Sequence, residues 1–261
     1  AAGEFPCDSW TATDAALRVG ALLKKNGDFA ESMKVFEAIA RQAATPKDRN
    51  YAKLETACLN WEIGRGAAGH LVTDTEKRKR MVTGREICEE LMADNEVEDS
   101  VRIVAELIHI ETYHCLDEYE KSAQLAKQFI AKWEPLIGSE VTPTATGTPY
   151  STQVVCAKGW LMMALYELRD FEECIALCSQ LVDGNAQTYK NFNVVAYAML
   201  YKALCLEAAG QADLAADTRD QLASRFPKWY ELTAAHKEAR LRARKEARQR
   251  PPETGTAQKP E

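Results

Sequence analysis

The apolar residues of this chain recur at the three-to-four-residue spacing of an α-helix from Thr13 to Ala247, and strict period-two alternation is nearly absent. Apolar stripes of this kind are buried by packing helix against helix. Glycine, at 13 residues, and proline, at 9, are also scarce among 261 residues, which argues against the many turns of a β-sandwich. The sequence therefore predicts an all-α fold.

Local signals mark where the helices end. Gly27 supplies a left-handed stop and Asp28 an N-cap, while Thr45 and Pro46 form a cap followed by a proline in the first turn. Pro227 closes a later helix. Breaks of this type predict eleven helices, over residues 13–26, 28–43, 47–65, 74–93, 97–115, 117–134, 152–168, 170–183, 188–209, 211–225 and 228–248.

The same reading divides the chain into segments. Residues 13–250 are predicted to form one helical repeat domain, interrupted by a Thr- and Pro-rich loop insertion at 138–150. The polar stretch 251–261 is expected to be a disordered tail. Residues 1–12 form an N-terminal segment that is either native or a remnant of an expression vector.

The second helix of successive hairpins repeats one pattern. In the first copy a large residue, Phe29, is followed by a small residue, Ser32, at +3, by Phe36 at +7 and by an apolar Ile39 at +10. The other copies open at Met81, Tyr119, Phe171 and, with weaker agreement, Ala212. A small residue at +3 lets the two helices of a hairpin approach closely, and the large residues fill the gap to the next hairpin, so the hairpins must stack.

With this pattern the chain resembles the tetratricopeptide repeat family. The residues that carry the resemblance are Val19-Gly20, Gly27, Phe29, Ser32 and Phe36 in the first copy, and Leu206, Gly210, Ala215, Leu222 and Pro227 in the last. The chain departs from the family in the spacing of its copies, which is 52, 38, 52 and 41 residues rather than 34. The resemblance implies a right-handed α-solenoid of about five antiparallel helix hairpins with a C-terminal capping helix.

The resemblance also implies a concave groove, lined by the first helix of each hairpin, that holds a partner protein or peptide. Carried over position by position, it gives these partner-binding candidates: Lys24, Glu111, His114, Met163, Tyr166, Tyr197, Leu200 and Glu207. For Leu107 and Leu204, which fall on the same helices, the alternative is a place in the core. Where some family members hold a terminal carboxylate with Lys, Asn and Arg, this chain has Leu17, Ala21, Leu107 and Glu111, so that clamp is absent.

No motif of catalysis or cofactor binding is present. The sequence lacks a Gly-x-Ser-x-Gly elbow, a phosphate-binding loop, a dinucleotide fingerprint and a His-Glu-x-x-His zinc motif. Cys174 and Cys178 share a helix face, but no second pair at metal-ligand spacing accompanies them. We therefore predict no enzymatic activity, no cofactor and no metal, and a role as a protein-interaction scaffold, alone or within a larger complex.

The charge distribution leaves one alternative open. The net charge of −6 argues against a nucleic-acid coat, yet residues 237–261 contain eight Lys and Arg against four Glu. An RNA- or ribosome-associated helical repeat protein is the alternative function, and its contacts would come from Arg240, Arg244 and Arg248.

The eight cysteines bear on the compartment. Most lie within apolar helical patterns, which is typical of small buried residues in a reducing, intracellular setting. An exported or periplasmic protein with oxidised cysteines is the alternative. The uncharged stretch 191–201 is too short to span a membrane, and the opening residues have no signal-peptide pattern. The sequence does not indicate an oligomeric state.

Overall fold

The computed structural model describes residues 12–66, 73–137, 150–183 and 193–234, and within these ranges it contains helices and turns but no strand. The helices are α1 (Ala12–Asn26), α2 (Phe29–Gln42), α3 (Pro46–Gly64), α4 (Asp74–Ala93), α5 (Asp99–Cys115), α6 (Tyr119–Trp133), α7 (Tyr150–Leu168), α8 (Phe171–Asp183), α9 (Val194–Ala208), α10 (Ala212–Arg225) and the short α11 (Pro227–Trp229). A 3-10 turn follows α6, and a π-helical turn, Tyr230–Ala234, follows α11. None of the described helices is both long and apolar enough to cross a bilayer.

Most predicted helix ends agree with the structure to within two residues, but α9 is an exception. It begins at Val194, whereas the sequence predicted a start at residue 188. Asn193 caps the helix, since its side chain accepts a hydrogen bond from the backbone N–H of Ala196 at 3.0 Å. Residues 138–149 of the predicted loop, residues 235–248 of the last predicted helix and the predicted tail lie outside the described residues.

The chain divides into two compact units, Ala1–Glu173 and Cys174–Glu261. In the first unit each described helix packs against the next in sequence, and α1, α3, α5 and α7 also contact one another in that order. We call these four the leading helices, and the second helices of the hairpins, α2, α4, α6, α8 and α10, the trailing helices. In the second unit α9 packs against α10, and α10 against α11.

The small residue at +3 of each trailing helix is buried, as the sequence predicted. In the first hairpin Ser32 Oγ donates a hydrogen bond to the carbonyl of Gly20 at 2.8 Å, and a Cβ on Gly20 would lie 2.8 Å from the ring of Phe36. In the third hairpin Ser122 Oγ donates to the carbonyl of Ile110, again twelve residues earlier. These contacts confirm that the helices of a hairpin approach too closely for larger side chains.

Four hairpins share one turn, in which a residue with positive φ lies two positions before the trailing helix begins. These residues are Gly27, Asp117, Arg169 and Gly210. The residue after each donates its backbone N–H to the carbonyl five positions earlier, at 2.8 to 3.0 Å, which is the six-to-one bond that terminates a helix at a left-handed residue. The first helix of these four hairpins therefore ends in the same way, at the same distance along the chain from the helix that follows.

Candidate partner-binding face

The shared turn aligns four of the predicted site residues. In each of these four residues the backbone carbonyl accepts a hydrogen bond from the N–H of the turn residue with positive φ, three positions later. All four therefore lie in the last turn of the first helix of a hairpin. These equivalent residues are Lys24, His114, Tyr166 and Glu207. The alignment that the resemblance implied between copies one, three, four and five is therefore present in the backbone.

The second hairpin supplies residues that the sequence left unplaced. Along α3, the side chains of Tyr51, Glu55, Cys58, Glu62 and Arg65 follow one another at intervals of three and four, so they form a single stripe. Interactions of this stripe reach Lys24 of α1 on one side and Glu111 of α5 on the other. We call the surface formed by this stripe, by Lys24 and by the corresponding residues of α5 and α7 the leading-helix face.

An ion pair joins α1 to α3 on this face. Lys24 Nζ donates to Glu55 Oε2 at 2.8 Å, and only 9% of the Glu55 side chain is exposed. Burial by itself lowers the pKa of Lys24, but the surrounding Cys58, Glu55 and Glu62 outweigh it and hold that pKa above its usual value. Burial and a hydrogen bond to Glu55 also raise the pKa of the Tyr51 phenol. The α1 end of the face is therefore held by a charged pair that is largely shielded from water.

A second polar contact joins α5 to α7. The indole Nε1 of Trp160 donates to Glu111 Oε1 at 2.6 Å, and the ring of His114 lies 5.0 Å from the ring of Trp160. Burial raises the pKa of Glu111 from 4.5 to about 7. The hydrogen bond from Trp160 and the charge of Arg65 lower it, while the carboxylate of Glu62 raises it. Glu111 is therefore a buried carboxyl that changes its charge near neutral pH.

Between these contacts lie two charged residues, Glu62 of α3 and Arg65, which caps the C-terminal end of that helix. Arg65 is exposed, and its guanidinium lies 4.4 Å from the centre of the Trp61 ring. Glu62 is half-buried and lies close enough to Lys24, Cys58 and Glu111 to influence the pKa of each. The middle of the face is thus charged and partly open to solvent.

The thiols beside this face are held in their neutral form. Burial raises the pKa of Cys58 to about 12; the charge of Lys24 lowers it, while nearby carboxylates raise it further. Burial with the charge of Glu111 raises the pKa of Cys156 to about 12. Because the thiolate is the nucleophilic form, both groups are weak nucleophiles at neutral pH. They serve as small packing residues.

The remaining predicted site residues are placed differently. Leu200 is fully buried in a cluster with Val195, Met199 and Leu222, and Met163 is also buried. Leu107 is buried as well, so at this position the structure agrees with the alternative of a core residue rather than a groove residue.

Three other predicted residues remain partly or fully exposed, and each contacts a neighbouring side chain. The ring of Tyr166 lies 6.2 Å from that of Phe171, and the ring of Tyr197 packs edge-on against Trp229 at 5.0 Å. Glu207 forms an ion pair with Arg219. Arg240, Arg244 and Arg248 lie outside the described residues.

The sequence reasoning missed Glu55, Arg65 and Trp160 as members of the face and left Glu62 unplaced. A signal for the α3 residues was available, because Glu55, Glu62 and Arg65 share a stripe at helical spacing. No signal marked Trp160 as the hydrogen-bond partner of a residue 49 positions away.

Comparison with known proteins bears on the fold. No protein-family model matches the sequence, and no curated protein is significantly similar to it. Among solved structures, the chain is similar to a kinesin light chain-like protein of Podosopora anserina with nearly identical TPR-like repeats, at 16% identity and a TM-score of 0.54, over 84% of this chain and 96% of that one. It is also similar to BtubC (BKLC) from P. vanneervenii, at 14% identity and a TM-score of 0.55, over 78% of this chain and 76% of that one.

These similarities show a TPR-like helical repeat fold. The resemblance seen in the sequence and the predicted fold class, an all-α solenoid of helix hairpins, are confirmed.

Proposed function

We propose that this protein is a non-catalytic interaction scaffold that binds a partner protein or peptide on the leading-helix face. The observation that carries the proposal is the continuity of that face, in which side chains from α1, α3, α5 and α7 interact across successive hairpins. Such a surface is held in place before a partner arrives, so binding orders few side chains. Helical repeats commonly present extended surfaces of this kind.

The chemistry of the face favours binding over catalysis. Its two thiols, Cys58 and Cys156, are partly buried, and the pKa of each is raised to about 12. One oxygen of Glu111 is already engaged by Trp160. A charged, aromatic and partly buried surface without an activated nucleophile suits recognition of a polypeptide.

A matched pair of charge swaps tests the proposal. Glu62→Arg with Arg65→Glu exchanges the charges of two residues three positions apart on a leading helix. Glu31→Arg with Lys34→Glu makes the same exchange three positions apart on trailing helix α2, where both side chains are exposed. Neither change alters the net charge of the protein.

The readout is affinity capture with quantitative mass spectrometry, followed by direct binding of the recovered partner. We expect the swap on α3 to lower partner affinity at least tenfold and the swap on α2 to leave it unchanged. If both variants bind the partner as the wild type does, the leading-helix face is not the binding surface.

The cysteines support a reducing compartment as the place of action. The seven cysteines in the described ranges are thiols, and several of them, including Cys88 and Cys205, are buried within helices. Thiol titration of the denatured, freshly isolated protein is expected to count eight thiols, and a lower count would favour the exported alternative.

A further inference from the structure

The buried carboxyl of Glu111 has an unused acceptor. Only 9% of this residue is exposed, and Trp160 donates to Oε1. Among the described residues no group donates a hydrogen bond to Oε2, so this oxygen remains an open acceptor in a largely buried carboxyl. A carboxylate oxygen in a largely desolvated site binds a donor strongly, particularly a charged one.

Two charges of opposite sign act on this carboxyl, because the guanidinium of Arg65 lowers the pKa of Glu111 and the carboxylate of Glu62 raises it. Glu62 raises the pKa of Glu111, and within the described part of the chain it forms no ion pair of its own. The two basic residues nearby have other contacts. Lys24 is paired with Glu55, and the guanidinium of Arg65 lies over the ring of Trp61. The centre of the face therefore presents two carboxyls beside the aromatic edge of Trp160.

We infer that the partner recognised by the leading-helix face carries a Lys or Arg side chain that docks between Glu62 and Glu111, against Trp160. This inference rests on the proposed function. The cation would donate to Oε2 of Glu111 and would offset the repulsion between the two carboxylates. An acidic peptide would instead add a third carboxylate to the site, so charge complementarity favours a basic segment.

Binding of such a cation is coupled to the ionisation of Glu111. The charged and titratable groups around Glu111 are Glu62, Arg65 and Cys58 on α3, Cys88 on α4 and Cys156 on α7. The three thiols stay neutral near pH 7, because burial raises the pKa of each.

With a pKa of about 7, the ionised fraction of Glu111 rises about tenfold between pH 6 and pH 8. The affinity for a basic peptide without histidine is expected to rise over the same range by up to about tenfold.

Selection from a display library of random peptides about twelve residues long supplies a defined probe. We expect peptides selected on the wild-type protein at pH 8 to be enriched in Lys and Arg. A synthetic copy of the tightest peptide is then titrated by fluorescence anisotropy against the wild type, Glu62→Gln, Glu111→Gln and Arg65→Gln, with Glu31→Gln as the control. Circular dichroism verifies that each variant is folded.

The variants have opposite expected effects. Glu62→Gln and Glu111→Gln should each weaken binding about tenfold, Arg65→Gln should tighten it by removing a competing cation, and Glu31→Gln should change nothing. Replacing the basic residue of the peptide by norleucine should cost affinity in the wild type and almost none in Glu111→Gln. The increase in affinity from pH 6 to pH 8 should also disappear in Glu111→Gln.

The outcomes separate this inference from the proposed function. Selected peptides that lack basic residues, or that bind Glu62→Gln and Glu111→Gln as tightly as the wild type, overturn the basic-residue inference. If those peptides still lose affinity in the combined Glu62→Arg and Arg65→Glu variant, the scaffold proposal stands. If no selected peptide is sensitive to that charge swap, both proposals fail together.

Discussion

Replacing Glu111 by glutamine should raise the stability of the protein relative to the wild type as the pH increases. Burial raises the pKa of this carboxyl from 4.5 to about 7 in the folded state, while in the unfolded chain it titrates at its ordinary value. Between pH 4.5 and about pH 7 the carboxyl of Glu111 is ionised in the unfolded chain but still protonated in the folded protein. Stability from this group is therefore complete below pH 4.5, declines as the pH rises, and is fully lost once the pH passes about 7.

The size of the effect follows from the two pKa values. Each unit of difference corresponds to about 1.4 kcal/mol, so ionising buried Glu111 costs about 3 kcal/mol of folding free energy across the whole range. About 2.5 kcal/mol of this falls between pH 5 and pH 8. Glutamine has no charge to bury, and its amide oxygen can still accept the hydrogen bond from Trp160.

Urea denaturation followed by circular dichroism at pH 5, 6, 7 and 8 measures this directly. The free energy of unfolding of Glu111→Gln, relative to the wild type, should increase by about 2.5 kcal/mol from pH 5 to pH 8. In a thermal scan at pH 8 this corresponds to a gain of roughly 5 to 10 °C for a unit of this size. Glu31→Gln, at an exposed position, is the control. A constant difference between Glu111→Gln and the wild type at all four pH values would refute the reasoning.

Three further substitutions test the packing, each by chemical denaturation at pH 7. Gly20→Ala should destabilise the protein by about 1 to 3 kcal/mol, because the added methyl group would lie 2.8 Å from the ring of Phe36; an unchanged stability would contradict the close approach of α1 and α2. Lys24→Met should cost about 2 kcal/mol, since it leaves the carboxylate of Glu55 buried without its cation, and a stabilised variant would show that the pair is dispensable. Leu200→Ala should lower the free energy of unfolding by about 3 kcal/mol, because it creates a cavity in the core. A change below about 0.5 kcal/mol, as expected at the surface, would show that Leu200 is available to contact a partner.

The hairpin turns illustrate how far local sequence reasoning extends. Gly27 and Gly210 have positive φ, and their glycine identity made the turn visible in the sequence. Asp117 and Arg169 adopt the same conformation with φ of 63° each, although neither is the residue that this conformation favours. The six-to-one hydrogen bonds that end α5 and α7 hold them there, although no glycine marks either position in the sequence.

The leading-helix face shows the limit of position-by-position inference. Lys24, Glu111 and His114 were correctly placed on leading helices, because the spacing within each repeat fixes which helix a residue belongs to. Leu200 is on α9 as expected, yet its side chain is fully buried in the core of the second unit. Helical spacing determines the stripe to which a residue belongs, but the neighbouring helices decide whether that stripe is covered.

By itself, the sequence determined the all-α class, nearly all the described helix ends and the small residue that each hairpin requires, because these depend on periodicity, capping and side-chain size within one or two helices. Only the tertiary structure decided the chemistry of the face. The neighbours of Glu111 come from other helices, Glu62 from α3 and Trp160 from α7. The pKa of a carboxyl depends on how much water and which charges surround it, and that environment is assembled only when distant segments pack together.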